Sequence, residues 1–143
     1  MKTIMVCCLL YLPLKNLHLT SCYGYRIHPV TGKYAFHAGV DLRANHDTVF
    51  AVMDGSVKAV GYNYLLGIYI SLDHTNDLES LYGHLSQIFV GPGDKIVANE
   101  PIGITGATGR VTGEHLHFSI LYRHQYIDPM EFLYQTLNNR NHE

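Results

Sequence analysis

An all-β domain closed by one short C-terminal helix is the fold class that this sequence predicts, and three observations lead to it. Short runs of β-forming residues alternate with Gly-, Pro-, Asn- and Asp-rich turns along most of the chain. No long stretch before the C-terminus places its apolar residues at helical spacing. There, Asp128-Pro129-Met130-Glu131 offers an Asp N-cap, a proline at the first helical position and a glutamate at the third.

Taken in order, the chain opens with Met1-Lys2-Thr3 and runs into the apolar stretch Ile4 to Leu14. That stretch is too short to span a membrane and long enough for the core of an export signal, so export is expected. Residues 1–19 read as a hydrophobic leader or first strand, with the strand beginning at about residue 12. Leu19-Thr20-Ser21-Cys22 has the outline of a lipoprotein cleavage box, but Lys15 and His18 interrupt the run before it and argue against lipidation. Residues 20–137 read as the domain proper. Within it, His28-Pro29-Val30-Thr31-Gly32-Lys33 is a turn between two strands. Val49 to Val60 is broken by Asp54-Gly55, a hairpin signal. Gly67 to Leu72 and Glu79 to Val90 read as strands, with a turn at Gly91-Pro92-Gly93-Asp94. The glycines from Gly103 to Gly113 read as hairpin glycines, because no Lys-Ser/Thr pair follows them as in a phosphate loop. Glu114 to Tyr122 is the clearest strand. The final helix is expected to reach about Leu137, leaving 138–143 as a polar tail.

Composition excludes several classes of function. At 143 residues, with 47% hydrophobic and 15% charged residues, the chain is one domain with a core of its own. Its ten Lys and Arg are scattered and the net charge is -2, so no nucleic-acid partner is expected. A transmembrane span is not expected either. Histidine is in excess, with ten against ten Lys plus Arg. Neutral imidazole is both the commonest metal ligand and the usual general base near neutral pH. Cys7, Cys8 and Cys22 form neither a disulfide framework nor a CxxC pair, so any metal must be held by nitrogen and oxygen.

Spacing then brings the histidines together. Side chains alternate between the faces of a strand, so Leu116, Phe118, Ile120 and Tyr122 share an apolar face and His115, His117 and Ser119 share the other. Two histidines side by side on the non-core face converge on one small object, although a polar solvent face would look the same. His37 and Asp41 stand four apart on one face of an extended or looped segment, and both are acceptable zinc ligands. In Tyr82-Gly83-His84-Leu85 the same alternation puts Tyr82 and His84 together, with Leu81 and Leu85 opposite. Three ligands with two imidazoles to spare suit a catalytic rather than a structural metal site, since a structural zinc is closed by four protein ligands.

The HxxxD of His37–Asp41, the YxHL of Tyr82–Leu85 and a Gly-rich stretch leading into the HLHF of His115–Phe118, in this order, resemble the lysostaphin-type (LytM-like) peptidoglycan endopeptidases. The likeness extends to Tyr23-Gly24-Tyr25-Arg26-Ile27-His28-Pro29, to Ala51–Val57, to Val90–Asp94 and to Pro101-Ile102-Gly103, and covers roughly residues 20 to 133. The resemblance implies antiparallel sheets forming a groove over a central zinc site, of the barrel-sandwich or duplicated hybrid motif type. It implies one Zn2+ held by His37, Asp41 and His117, and a catalytic pair of His84 and His115. Spacing alone leaves open which of His115 and His117 binds metal. The implied activity is zinc-dependent hydrolysis of a stem-peptide or cross-link bond of peptidoglycan, by a monomer acting in the periplasm or cell envelope. His84 or His115 would take the proton of the attacking water, and the pair would return one to the leaving amine. A catalytically silent regulator of other wall hydrolases is the alternative, and retention of all five positions argues against it. Glycine-bridge cutters of the family usually carry a separate wall-targeting domain, so a direct D-alanine–diaminopimelate cross-link is the expected bond.

The remaining histidines, His28, His46, His74, His124 and His142, read as surface or turn residues. Glu114 points away from His115 and His117 and reads as a turn residue. The eleven tyrosines read as groove wall or half-buried strand positions. Nothing in the residues reads a substrate carboxylate directly, although Arg26, Arg43 and Arg110 lie in segments flanking the site and could do so. Cys22 departs from the proline or small residue usual in the family.

Overall fold

In the computed structural model, which describes residues 9–140, the chain forms β1 (Leu19–Ser21), β2 (Gly24–Ile27), β3 (Tyr34–His37) and β4 (Val40–Arg43). There follow β5 (Thr48–Phe50), β6 (Gly55–Asn63), β7 (Gly67–Asp73), β8 (Leu78–Ile88), β9 (Lys95–Ile96) and β10 (Pro101–Thr105). The last elements are β11 (His115–Tyr122), β12 (Gln125–Ile127) and α1 (Pro129–Arg140). Ten strands join in one antiparallel sheet whose main path runs β1-β4-β11-β8-β7-β6-β9, while β2 and β3 pair apart as a two-stranded hairpin. The all-β class with a terminal helix stands.

β11 alternates as its sequence requires. Leu116, Phe118 and Ile120 are fully buried and pack with Val40, Leu42, Ile70, Leu72, Tyr82 and Ile102 in a continuous core. Register does the rest: His117 lies opposite Asp41 of β4 on one side and Gly83 of β8 on the other. The polar face of β11 is therefore flanked by the HxxxD segment and the YxHL segment together. The helix starts as expected, with the Asp128 carboxylate accepting from the N–H of Met130 at 3.0 Å. It continues past Leu137 to Arg140.

Three expectations are corrected. Asp54-Gly55 makes no hairpin, because β5 pairs with β10 while β6 pairs with β7 and β9. The chain there crosses the core through buried Ala51, Val52 and Met53. Asp54 Oδ1 accepts the N–H of Ala98 at 2.7 Å, and a Cβ at Gly55 would lie 2.0 Å from the carbonyl oxygen of Asp73. The Asp-Gly pair answers tertiary contacts, not a turn. The Gly103–Gly113 stretch likewise links two strands that do not pair, β10 and β11, and forms a loop over the site. Finally, among the described residues the first strand begins at Leu19, not at about residue 12. Leu10 and Leu14 are nevertheless buried in the core, and the N–H of Tyr11 donates to the carbonyl of Val52 at 2.8 Å.

Candidate metal centre

Four imidazoles and one carboxylate meet in a groove of about 550 Å³, walled by the β2–β3 hairpin on one side and by the loops around residues 64 and 110 on the other. His37 ends β3, Asp41 lies in β4, and His115 and His117 lie on the outward face of β11. All are at least largely buried: His37 and His117 are each 9% exposed, and Asp41 is 7% exposed.

His84 reaches the groove by a break in the strand rule. Opposite β11, Tyr82 pairs with Phe118 and faces the core, so plain alternation would send His84 into the core as well. The chain bulges here, since a step of two residues along β7, from Ile70 to Ile68, faces a step of three along β8, from Tyr82 to Leu85. His84 takes the left-handed conformation, φ 60°, and its side chain turns out to line the groove while Leu85 returns to the core. Tyr82 and His84 therefore lie on opposite faces, contrary to the alternation expected from sequence. Bulges re-aim side chains in this way, and a histidine held at positive φ is a conformation that the surrounding structure must enforce.

The hydrogen bonds assign the protons. A carbonyl oxygen only accepts, so the ring nitrogen facing it carries the hydrogen. His37 Nδ1 donates to the carbonyl of Cys22 at 2.9 Å, His84 Nδ1 to that of Thr108 at 2.8 Å and His115 Nδ1 to that of Gly113 at 2.9 Å. Each neutral ring is left with Nε2 as its lone pair. His117 is arranged the other way round: Nε2 lies 2.9 Å from the hydroxyl of buried Ser119, and Nδ1 turns to the centre. Gly39 permits this packing, because a Cβ there would come within 2.5 Å of Ser119 Oγ and 2.9 Å of His117 Cε1.

At the centre, His37 Nε2, Asp41 Oδ1 and His117 Nδ1 stand 3.2, 3.2 and 3.3 Å apart. These three groups meet the geometric requirement for holding a metal ion. With the His37 hydrogen committed to Cys22, the Nε2 lone pair of His37 faces the Asp41 carboxylate at 3.2 Å, and a cation is what relieves such crowding. Partners on the outer nitrogens that fix each tautomer are the usual support of metal-binding histidines. His115 Nε2 lies 3.5 Å from the same Asp41 oxygen, and the His84 and His115 rings stand 4.7 Å apart.

The electrostatics centre on one buried anion, Asp41, with Arg26 Nη2 3.8 Å from its Oδ2. Burial alone would raise the Asp41 carboxyl, but the surrounding imidazoles of His117, His37 and His115 outweigh it and hold it well below the usual carboxylate range. Burial pushes His84 down to about 4, with its imidazole neighbours adding to the effect, so it is neutral at pH 7. His117 is lowered too, chiefly by burial.

The other sequence readings sort cleanly. Glu114 turns away, as expected, and its carboxylate accepts the N–H of His46 at 3.1 Å. His46 and His124 are exposed, whereas His142 lies outside the described residues. His74 sits in the turn after β7, as expected, and is half-buried: its Nδ1 donates to the Asp54 carbonyl at 2.7 Å, and its Nε2 contacts Ser80 Oγ at 2.7 Å. His28 sits in its turn yet also lines the groove, as do Arg26 and Arg110, while Arg43 does not. Sequence reasoning missed the three anchoring carbonyls, since every residue has one and no side chain marks it.

Comparison with known proteins agrees with this architecture. The chain is 34% identical over 125 residues to the DD-carboxypeptidase/endopeptidase Mpg of Neisseria meningitidis, covering 87% of this chain and 29% of that protein. It is 40% identical over 97 residues to the peptidoglycan DD-endopeptidase ShyC of Vibrio cholerae, covering 67% of this chain and 22% of that protein. The chain thus spans less than a third of the length of either relative. Among solved structures, a zinc-containing peptidase from Vibrio cholerae superposes with a TM-score of 0.73 at 36% identity, over 80% of this chain and 36% of that one. The catalytic domain of lysostaphin from Staphylococcus simulans superposes with the same TM-score of 0.73 at 31% identity, over 82% of this chain and 92% of that one. The family model named Peptidase family M23 matches residues 35–129, a span that holds every residue of the centre, and the chain belongs to that family.

Proposed function

We propose that the chain is a zinc-dependent endopeptidase of bacterial peptidoglycan, with His37, Asp41 and His117 as the metal ligands and His84 and His115 as the acid–base pair. The observation that carries this reading is the triangle of ligand atoms, with edges of 3.2, 3.2 and 3.3 Å. A tetrahedral zinc bonded to nitrogen and oxygen at about 2.0–2.1 Å sets its ligands about 3.3–3.4 Å apart. Three protein ligands leave one position open to the reaction, as catalytic zinc sites do. When bound, the ion supplies Lewis-acid polarisation of the scissile carbonyl and makes water acidic enough to react near neutral pH.

The chain's own residues perform the proton chemistry. His84 and His115 each have Nδ1–H tied to a carbonyl, so Nε2 is free to accept a proton in the groove. One ring takes the proton of the attacking water, and the imidazolium so formed donates to the departing amine. Ionised Asp41, 3.5 Å from His115 Nε2, favours that imidazolium. The names of the relatives support a DD bond, the direct D-alanine–diaminopimelate cross-link, as the substrate. Action on that bond places the chain at the cell envelope, and no described helix is long and apolar enough to cross a membrane.

The test is digestion of defined cross-linked muropeptides beside a pentaglycine peptide, read by mass spectrometry, with zinc content measured on the same protein. One zinc per chain and release of monomers from the direct cross-link are expected. His37→Ala, Asp41→Ala and His117→Ala should each lose the metal. Cutting of pentaglycine alone would reject the bond assignment, and retention of metal by His117→Ala with loss by His115→Ala would reverse the ligand assignment.

A further inference from the structure

A second cluster in the groove sets donor against donor. His28 Nδ1 accepts the backbone N–H groups of Val30 and Thr31 at 3.1 and 3.3 Å. Those donors fix its lone pair, so the hydrogen of the neutral ring sits on Nε2. That Nε2 lies 3.2 Å from Nη2 of Arg110. A guanidinium has five N–H donors and nothing to accept with, so two donors face each other across a hydrogen-bond distance. Protonating His28 would leave the conflict in place. Desolvation first, then the fields of Arg110 and Arg26, hold His28 below its ordinary value and keep the ring neutral.

Arg26 adds a third unused donor on the same side. Its Nε is buried and has no hydrogen-bond partner, and its Nη2 stays 3.8 Å from Asp41 Oδ2, too far for a hydrogen bond. Buried donors are normally satisfied, so such a group calls for a missing partner. Arg26, His28 and Arg110 all line the groove that holds the metal centre. What completes three convergent donors, two of them cationic, is an anion with several lone pairs. A carboxylate matches the planar fork of arginine and takes two parallel N–H bonds.

We propose that Arg26, His28 and Arg110 form a subsite that binds a free carboxylate of the peptide substrate beside the scissile bond. This rests on the peptidase reading above and deepens it: the chain selects acidic peptides over their amidated counterparts. These three side chains of the same groove supply the selection, and the hairpin turn at His28 and the loop at Arg110 set it.

The experiment compares one cross-linked stem peptide bearing free carboxylates with the same peptide fully amidated. Both are assayed for cleavage and for binding by calorimetry, using the zinc-loaded full chain. Charged hydrogen bonds of this kind set an acid-to-amide preference of about tenfold to a hundredfold. That preference is expected in wild type, in binding as well as in kcat/KM, and Arg110→Gln should reduce the ratio to near one. The 15N shift of His28 Nε2 should respond to the acid and not to the amide. Equal handling of acid and amide by wild type, or an unchanged ratio in Arg110→Gln, would overturn the subsite. Inorganic phosphate binding as tightly as the peptide acid, with the same shift, would also overturn it, because the subsite would then serve free anions. If wild type cuts neither peptide, the peptidase reading fails, while the binding ratio still decides the subsite.

Discussion

In the proposed mechanism, His84 and His115 are the residues at which proton chemistry separates from metal binding. Neither belongs to the triangle, so His84→Ala and His115→Ala should keep the metal and lose turnover by about two to four orders of magnitude each. The double variant should lose less than the sum, since both rings serve one transfer. Rates at matched zinc content check this, and wild-type turnover in either variant contradicts it. Two glycines give a second contrast. Gly39→Ala would drive a methyl into Ser119 Oγ and His117, so its metal affinity should fall about tenfold to a hundredfold in a chelator competition. Gly113→Ala meets nothing within 4 Å and keeps its carbonyl on His115, so its affinity should match wild type.

Among the elements, β11 and β8 show where reading by alternation works and where it stops. β11 is regular, and its two faces follow from the sequence alone. β8 carries the same kind of motif, but the extra residue between Tyr82 and Leu85 shifts the alternation, which no side-chain pattern announces. The Asp54-Gly55 signal misleads for the same reason, because contacts distant in sequence decide what that pair does. The bulge depends on a residue tolerating φ 60° at position 84. His84→Asn should retain it, since asparagine visits that region readily, whereas the β-branched side chain of His84→Val resists it. His84→Val should therefore be less stable than His84→Asn by about 1–2 kcal/mol in urea denaturation. Equal midpoints would remove the bulge from the account of how His84 is aimed.

At the scale of the molecule, a buried polar thread ties the sheet to its crossing segment. The Val52 N–H donates to the Tyr82 hydroxyl at 3.2 Å, that hydroxyl lies 3.0 Å from Ser80 Oγ, and Ser80 meets His74. Burial pushes the Tyr82 phenol up to about 12. Tyr82→Phe would strand the Val52 donor and should cost about 1–3 kcal/mol, measured by thermal or urea unfolding. Acid acts on the whole fold through the histidines. His84, His74 and His117 are all lowered from 6.5, so the unfolded chain binds protons that the folded chain refuses. Stability of the metal-free protein should fall as pH drops from about 6.5 toward about 4, where His84 titrates in the fold. Lowered Asp41 extends the loss in the same direction below its ordinary value of 3.8. Urea midpoints in chelator check the slope, and a flat profile across that window would contradict it. The residues of the centre were legible in the sequence because they are rare types at fixed spacing, while the oxygens that orient them belong to the main chain.

That last feature bears on how the family's sequences are compared. The part of Cys22 that touches the centre is its carbonyl, and the thiol is exposed and free. A cysteine, a proline or any small residue presents the same oxygen along the same backbone path. The same holds at Thr108 and Gly113 for the bonds to His84 and His115. Substitutions at these three anchors are expected to drift without disturbing proton placement, so long as the main chain keeps its course. An alignment would score such columns as variable, although the atoms they contribute do not change.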